Sequence, residues 1–252
     1  MTMEVISVAN QKGGCGKTTT AVNLSAYLAQ KGKRTLLIDL DPQGAATTSL
    51  GVKKRKLEKT VYNVMVDDIG LSDVVIPEVA PGLDIAPANM NLSAAEQGLV
   101  NQPGRETIIK MKLKAQNGYD YVLIDTPPSL GILTLNSLVA CNTLIIPVQT
   151  EYFAMEGMSQ LLKIIKMVEE RLLGNSIKRR YLLTMYDART NLSKEVAEQV
   201  REHFKDEVYK TIIPRSVKLA EAPSHGKPIS LHEPESPGAL AYQQLADEVI
   251  EQ

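Results

Sequence analysis

The run Val5-Ile6-Ser7-Val8-Ala9, then Lys12-Gly13-Gly14-Cys15-Gly16-Lys17-Thr18-Thr19, then Ala21-Val22-Asn23-Leu24-Ser25-Ala26-Tyr27-Leu28-Ala29, decides the fold. The first segment is an unbroken apolar run, as a buried strand requires, and the third repeats its apolar residues at helical spacing. A glycine-rich loop between a strand and a helix is the setting of a phosphate-binding loop. Its glycines let backbone N–H groups turn toward an anion with no Cβ in the way. Lys17 then supplies a point charge for the β- and γ-phosphates, and the Thr18 hydroxyl is placed to ligate Mg²⁺. The loop has a second lysine, Lys12, two residues before Gly14. A lysine there can point away from its own nucleotide, either into solvent or toward the phosphates of a second subunit.

Working outward, short apolar runs alternate with helical patterns. Strands are expected at 4–9, 34–39, 83–86, 120–125, 143–148, 180–185 and 209–213, and helices near 17–31, 91–101, 105–116, 131–140, 153–173, 191–204 and 236–251. Strands bounded by helices imply parallel pairing with helices on both faces. The expected architecture is one α/β P-loop NTPase domain over 1–252, with a mostly parallel twisted sheet of seven or eight strands. Ligands of such sheets bind beyond the carboxyl ends of the strands. The polar residues that follow the strands do form a coherent set: the glycine-rich loop, Asp39-Leu40-Asp41-Pro42-Gln43-Gly44, Asp125-Thr126-Pro127-Pro128-Ser129, and Pro214-Arg215-Ser216.

Asp125 ends an apolar strand, the position of a carboxylate that holds Mg²⁺ directly or through water. Phosphoryl transfer to water needs charge neutralisation and a positioned nucleophile. Asp41, further from its strand, is assigned to orienting the attacking water, with Asp39 near the Mg²⁺ shell; the plainer alternative is that both carboxylates cap the following turn.

Composition narrows the possibilities. The chain has 252 residues, a net charge of −1, no Trp, two Phe and two Cys. Aromatic base-stacking is an unlikely route to nucleic acid, and any DNA contact requires a local basic patch. Cys15 and Cys141 lack ligand spacing and suggest a reducing compartment, with Cys15 filling space in the loop. No apolar run is long enough to cross a bilayer and no signal peptide precedes the first strand, so a cytoplasmic protein is expected. The basic runs Lys53-Lys54-Arg55-Lys56 and Lys178-Arg179-Arg180 (the second just before a strand) are either solvated faces or auxiliary DNA contacts. His203, His225 and His232 have no metal-site spacing and are given no chemistry.

The string Lys-Gly-Gly-Cys-Gly-Lys-Thr-Thr, with Asp-Leu-Asp-Pro-Gln-Gly and Asp-Thr-Pro-Pro-Ser, resembles the deviant Walker A ATPases, and among them the ParA/Soj-type chromosome and plasmid partition ATPases. The similarity continues in Thr184-Met185-Tyr186-Asp187-Ala188-Arg189-Thr190-Asn191 and from Ile213 to Gly226, so it spans the chain. It implies Lys12 as the signature lysine crossing a nucleotide-sandwich dimer, Lys17 as the P-loop lysine, Gly13, Gly14, Cys15, Gly16 and Thr19 in the phosphate cradle, Thr18 as Mg²⁺ ligand, Asp41 as the residue needed for hydrolysis and Asp125 as the Walker B carboxylate. Pro214 and Ser216 match positions lining the adenine pocket. The family pattern usually has Asn where this chain has Ser216, which keeps a donor and an acceptor with shorter reach. Arg189 and Lys218 match basic residues that contact DNA. The resemblance further implies ATP with Mg²⁺, a homodimer on ATP binding, nonspecific double-stranded DNA, a ParB/Spo0J-like partner, no membrane and a nucleoid-associated location. A MinD-like membrane ATPase would end in a basic amphipathic helix, whereas Ala239 to Gln252 carries three acids and no Lys or Arg. An electron-transfer ATPase like the nitrogenase iron protein would need cluster cysteines that are lacking.

Overall fold

A computed structural model describes residues 3–152 and 158–252. Eight strands form one sheet: β1 (Glu4–Val8), β2 (Thr35–Asp39), β3 (Ile76–Ala80), β4 (Leu83–Ala86), β5 (Tyr121–Asp125), β6 (Thr143–Gln149), β7 (Lys178–Tyr186) and β8 (Val208–Pro214). Their order is β3-β4-β2-β5-β1-β6-β7-β8, and every pairing is parallel except β3 on β4. The helices are α1 (Lys17–Gln30), α2 (Ala45–Ser49), α3 (Val61–Val66), α4 (Ala95–Gly98), α5 (Ile108–Lys114), α6 (Ile132–Ala140), α7 (Met158–Val168), α8 (Asn191–Phe204), α9 (Val217–Glu221), α10 (Ile229–His232) and α11 (Pro237–Ile250).

The central strands are apolar on both sides because both faces are covered. Leu36, Ile38, Val122, Ile124, Leu144 and Ile146 join one core with Val64, Ile109, Leu133, Leu161 and Val196 of α3, α5, α6, α7 and α8. The alternate residues Leu37, Leu123, Ile145 and Leu182 join a second core with Leu24 and Leu28 of α1 and with Tyr242 and Leu245 of α11. This period-2 division is what parallel strands covered on both faces must show. Helix starts follow local chemistry. The Thr190 hydroxyl caps α8 by accepting from Ser193 N at 3.3 Å. The Ser236 hydroxyl does the same for α11 from Ala239 N at 3.2 Å, with Pro237 next in line.

Three expectations need correction. Strand β3 was not foreseen: its Pro77 and its exposed, bulged edge leave no buried alternation to read. The stretch 91–101 is a short helical turn followed by the four-residue α4 rather than one helix. Lys178-Arg179-Arg180 opens β7 instead of preceding it, and Arg180 is tied to Gln252 Oε1 at 2.8 Å and the Asp206 carbonyl at 3.1 Å. That run therefore sits at the amino ends of the strands, away from the glycine-rich loop. The first five residues of the expected helix 153–173 lie outside the described residues.

Candidate nucleotide site

Strand β1 delivers the chain into the glycine-rich loop at the carboxyl edge of the sheet. Asn10 anchors that exit: its Nδ2 donates to the Pro147 carbonyl at 2.7 Å, and its Oδ1 accepts from Lys12 N at 3.1 Å. The far side is held by the Thr184 hydroxyl, which donates to the Cys15 carbonyl at 2.8 Å. Gly16 stands at φ 94°, a conformation that side chains rarely adopt, and it turns the chain into α1. No side chain caps α1 and its first turn has no acid. The unpaired N–H groups and positive dipole end therefore face the loop, as an anion site requires. Thr18 and Thr19 lie in that first turn. Lys17 is buried (7% exposed), and its Nζ donates to the Lys12 carbonyl at 2.9 Å. Cys15 is a free, buried thiol raised above its ordinary pKa by burial, which fits a space-filling role. Cys141 is likewise free and buried, its thiol pushed up to about 12.

The three carboxylates differ sharply. Asp39 and Asp125 are register partners on β2 and β5, and both are wholly buried. Asp39 Oδ2 accepts from Thr47 N at 2.8 Å and from the Thr47 hydroxyl at 2.7 Å, while its Oδ1 accepts from Asp41 N at 3.1 Å. Its oxygens are thus occupied in holding the loop to α2, next to Asp125 on the neighbouring strand. Burial still raises its pKa to about 6 against the relief these bonds provide. Asp41 is 9% exposed and accepts from Gln43 N at 2.9 Å. Asp125 has no hydrogen-bond partner at either oxygen. The Thr18 hydroxyl lies close enough to ease its ionisation yet outside hydrogen-bonding geometry, and burial, followed by the Asp39 charge, holds its pKa well above the carboxylate range. A buried carboxylate without a partner is costly unless a cation or donor completes it. With a hydroxyl beside it, this oxygen pair fits Mg²⁺, whose remaining positions are filled by phosphates and water. Among the described residues no three His, Cys, Asp or Glu converge on a metal position. Asp125 is followed by Thr126, whose hydroxyl fixes the loop by donating to the Val8 carbonyl at 2.8 Å.

Beside the loop, Gly16, Thr19, Thr184, Met185, Ile213, Pro214, Ser216 and Tyr242 line a pocket of about 330 Å³. The structure thus brings Pro214 and Ser216 next to the phosphate cradle. Thr184, Met185 and Tyr242 were not singled out from the sequence. Tyr242 comes from the far end of the chain, and its hydroxyl meets that of Thr20 at 3.1 Å. No local signal identifies it.

Lys12 points elsewhere. Its Nζ lies 3.9 Å from Glu151 Oε2, while Arg215 Nη2 lies 3.2 Å from Glu151 Oε1. Glu151, also unforeseen, follows β6 and bridges the two cations. Arg189 and Lys218 are placed at the ends of adjacent strands, in the loop after β7 and on α9 after β8. Both side chains are paired internally: Arg189 with Asp187 at 2.7 and 2.8 Å, Lys218 with Glu221 at 3.1 Å. The Arg189 guanidinium holds the Asp187 carboxyl down at about 2. His225 and His232 stack at 4.6 Å.

The chain is similar to known proteins over nearly its whole length. A family model described as an AAA domain matches residues 3–179. The sporulation initiation inhibitor protein Soj of Bacillus subtilis is 51% identical over 98% of both chains. The chromosome partitioning protein ParA of Myxococcus xanthus is 44% identical over 98% of this chain and 87% of its own. Among solved structures, a cobyrinic acid a,c-diamide synthase from Mycobacterium smegmatis, with bound ATP analog and magnesium, superposes with a TM-score of 0.87 at 37% identity, over 99% of this chain and 95% of that one.

Proposed function

This chain belongs to the family of Soj and ParA chromosome-partitioning ATPases, and on that premise we propose that it is a Mg-ATP-dependent ATPase that dimerises around its nucleotides, binds DNA nonspecifically in that state and acts in partitioning with a ParB/Spo0J-like partner. The whole chain, 1–252, serves as one ATPase domain in this reading, cytoplasmic and nucleoid-associated. The observation that carries it is Asp125, a buried carboxylate with both oxygens unpartnered beside Thr18 at the mouth of the glycine-rich loop.

In the proposed cycle, the N–H groups of the Gly13–Thr19 loop and the Lys17 ammonium hold the β- and γ-phosphates. Thr18 and Asp125 would hold Mg²⁺, which would supply neutralisation of phosphate charge. Asp41 orients the attacking water. Pro214 and Ser216 flank the base. Lys12 exchanges Glu151 for the phosphates of the partner subunit, so the site is complete only in the dimer and intrinsic turnover is slow. Arg189 and Lys218 exchange Asp187 and Glu221 for DNA phosphates. Two such contacts per protomer become four on a rigid dimer, giving a slope of about −3.6 in log affinity against log salt, and about half that for a monomer.

The partition relatives share more sequence with this chain than the synthase does, 51% and 44% against 37%. A membrane-cycling role is disfavoured by α11, whose apolar residues Tyr242 and Leu245 are buried in the core. Its acids are engaged as well: Asp247 pairs with Lys31, and Glu248 accepts from Lys210 N and Thr211. No helix among the described residues is long and apolar enough to cross a membrane. The test is filter binding of duplex DNA with ATP, with ADP and without nucleotide. Affinity is expected with ATP alone, and Arg189→Glu should abolish it while light scattering still shows the ATP dimer. Equal affinity in all three states would overturn the reading.

A further inference from the structure

The basic run Lys53-Lys54-Arg55-Lys56 is left unused by the site just described. Four consecutive cations stand there in a chain of net charge −1. Lys53, Arg55 and Lys56 are exposed, and among the described residues no ion pair involves them. Arg189 and Lys218, in contrast, must each leave a carboxylate before meeting an anion.

The run is held in place. It begins just after Gly51, which packs backbone to backbone on Gly226: a Cβ on Gly226 would lie 2.7 Å from the Gly51 Cα. Both glycines have positive φ, 79° and 63°, so neither position suits a side chain. This contact fastens the basic turn to the Ala222–His225 turn, which continues directly from α9 and Lys218. Between them lies a cleft of about 560 Å³ lined by Lys53, Lys54, Arg55, Lys56, Ser224 and His225. An open cleft rimmed by four consecutive cations, beside the turn that continues from Lys218, fits a polyanionic backbone that runs across it.

Lys54 alone of the four turns inward. It is half-buried, its Nζ donates to the Gln43 carbonyl, and its Cδ lies 3.2 Å from the Cβ position of Gly44. Gln43 and Gly44 belong to the loop of Asp41, whose carboxylate accepts from Gln43 N. The cation run is therefore two hydrogen bonds from the carboxylate assigned to the water.

We propose that Lys53, Arg55 and Lys56, with the Ser224–His225 turn, form a second phosphate-backbone docking surface for duplex DNA, and that Lys54 links its occupancy to the Asp41 loop. The inference rests on the proposed ATP-dependent DNA binding. It adds a surface that the Arg189 and Lys218 positions do not include, and it makes Lys54 a positioning residue for DNA-stimulated turnover.

The test uses the full chain with ATP and duplex DNA at several salt concentrations. The neutral variant Lys53→Gln/Arg55→Gln/Lys56→Gln removes three exposed cations per protomer. It should bring the slope of the dimer, up to about −9 with ten contacts, back toward the roughly −3.6 that Arg189 and Lys218 give alone, and weaken binding at least tenfold, at about 0.9 per phosphate contact. Light scattering with ATP verifies that the variant folds and dimerises. Lys54→Met should keep DNA affinity within about threefold, since its ammonium is turned to the Gln43 carbonyl and no phosphate contact is lost, while DNA no longer accelerates ATP turnover; Lys54→Arg should restore the acceleration. A triple variant with the slope and affinity of the unaltered chain overturns the surface. If Arg189→Glu still abolishes binding in that case, the DNA reading itself stands. If the unaltered chain binds no DNA with ATP, that reading fails instead. DNA binding left unchanged while the variant loses capture of polyglutamate would assign the turn to an acidic polypeptide and overturn the proposal. Normal acceleration in Lys54→Met overturns the link to Asp41.

Discussion

Lys17 Nζ donates to the main-chain oxygen of Lys12 at 2.9 Å, so the buried lysine of the loop is satisfied by the backbone of the half-buried one, whose own ammonium faces Glu151. The two cations of one loop thus have different partners and different costs of release. Lys17 exchanges a single neutral acceptor for phosphate oxygens. Lys12 leaves a half-exposed ion pair.

Lys17→Ala should therefore act on nucleotide binding directly. A charge-assisted hydrogen bond is worth about 1.5–3 kcal/mol, or roughly ten- to a hundredfold in affinity. Calorimetric titration with Mg-ATP checks this. Affinity within about threefold of the unaltered chain, less than 1 kcal/mol, would remove Lys17 from the phosphate site.

Lys12→Ala should leave ATP binding by the monomer nearly intact and prevent the ATP-dependent dimer. Its lost pair with Glu151 is 3.9 Å long with both side chains partly exposed. Such pairs contribute about 0–1 kcal/mol, so the melting temperature should move by no more than about 3 °C. Size exclusion with light scattering reports the oligomer, and a dimer in this variant contradicts the assignment.

Asp41→Ala should bind ATP, accumulate as dimer and hydrolyse slowly, by about a hundredfold or more if the carboxylate orients water. Single-turnover measurement with preformed dimer separates this from weak binding. The Asp39 cluster should survive, since Asp39 takes only the main-chain N–H of residue 41.

The buried acids predict a pH dependence of definite sign. Asp39 is raised to about 6 and Asp125 is raised as well, both chiefly by burial. A carboxyl that holds its proton more tightly when folded contributes stability that is full below its unfolded pKa, near 4, and is lost as pH rises through the folded value. For Asp39 this is roughly 3 kcal/mol at most. The nucleotide-free protein should therefore melt several degrees higher at pH 5 than at pH 7.5. Asp187, held near 2 by Arg189, loses its opposite contribution only in far stronger acid. Asp125→Asn should raise the melting temperature at pH 7.5 without nucleotide, because a neutral amide avoids the cost of ionising, or of holding a proton on, a buried unpartnered carboxyl, and should abolish the stabilisation by Mg-ATP. A variant that melts lower at pH 7.5, or is still stabilised by Mg-ATP, would refute this account of Asp125.

The loop and its carboxylates were legible because each is a local signal. Val5 to Thr19 states strand, turn and helix within fifteen residues, and Asp125 announces itself by ending the apolar run from Tyr121. Edge strand β3 was hidden by Pro77 and by its exposure, α2 by its brevity. Thr47 carried no signal in the sequence; its role exists only where Asp39 meets it from β2.

By itself the sequence determined the α/β architecture, the glycine-rich loop between strand and helix, and Asp39 and Asp125 as strand-end carboxylates with Asp41 just beyond, because apolar periodicity and glycine placement act over a few residues. Only the tertiary structure decided that Asp39 serves Thr47 while Asp125 stands unpartnered, that Glu151 holds Lys12, that Tyr242 reaches the pocket of Pro214 and Ser216, and that Gly51 meets Gly226 to set four cations beside the Asp41 loop. Those relations join positions up to two hundred residues apart, and they exist only once parallel strands pair and the helices cover both faces of the sheet.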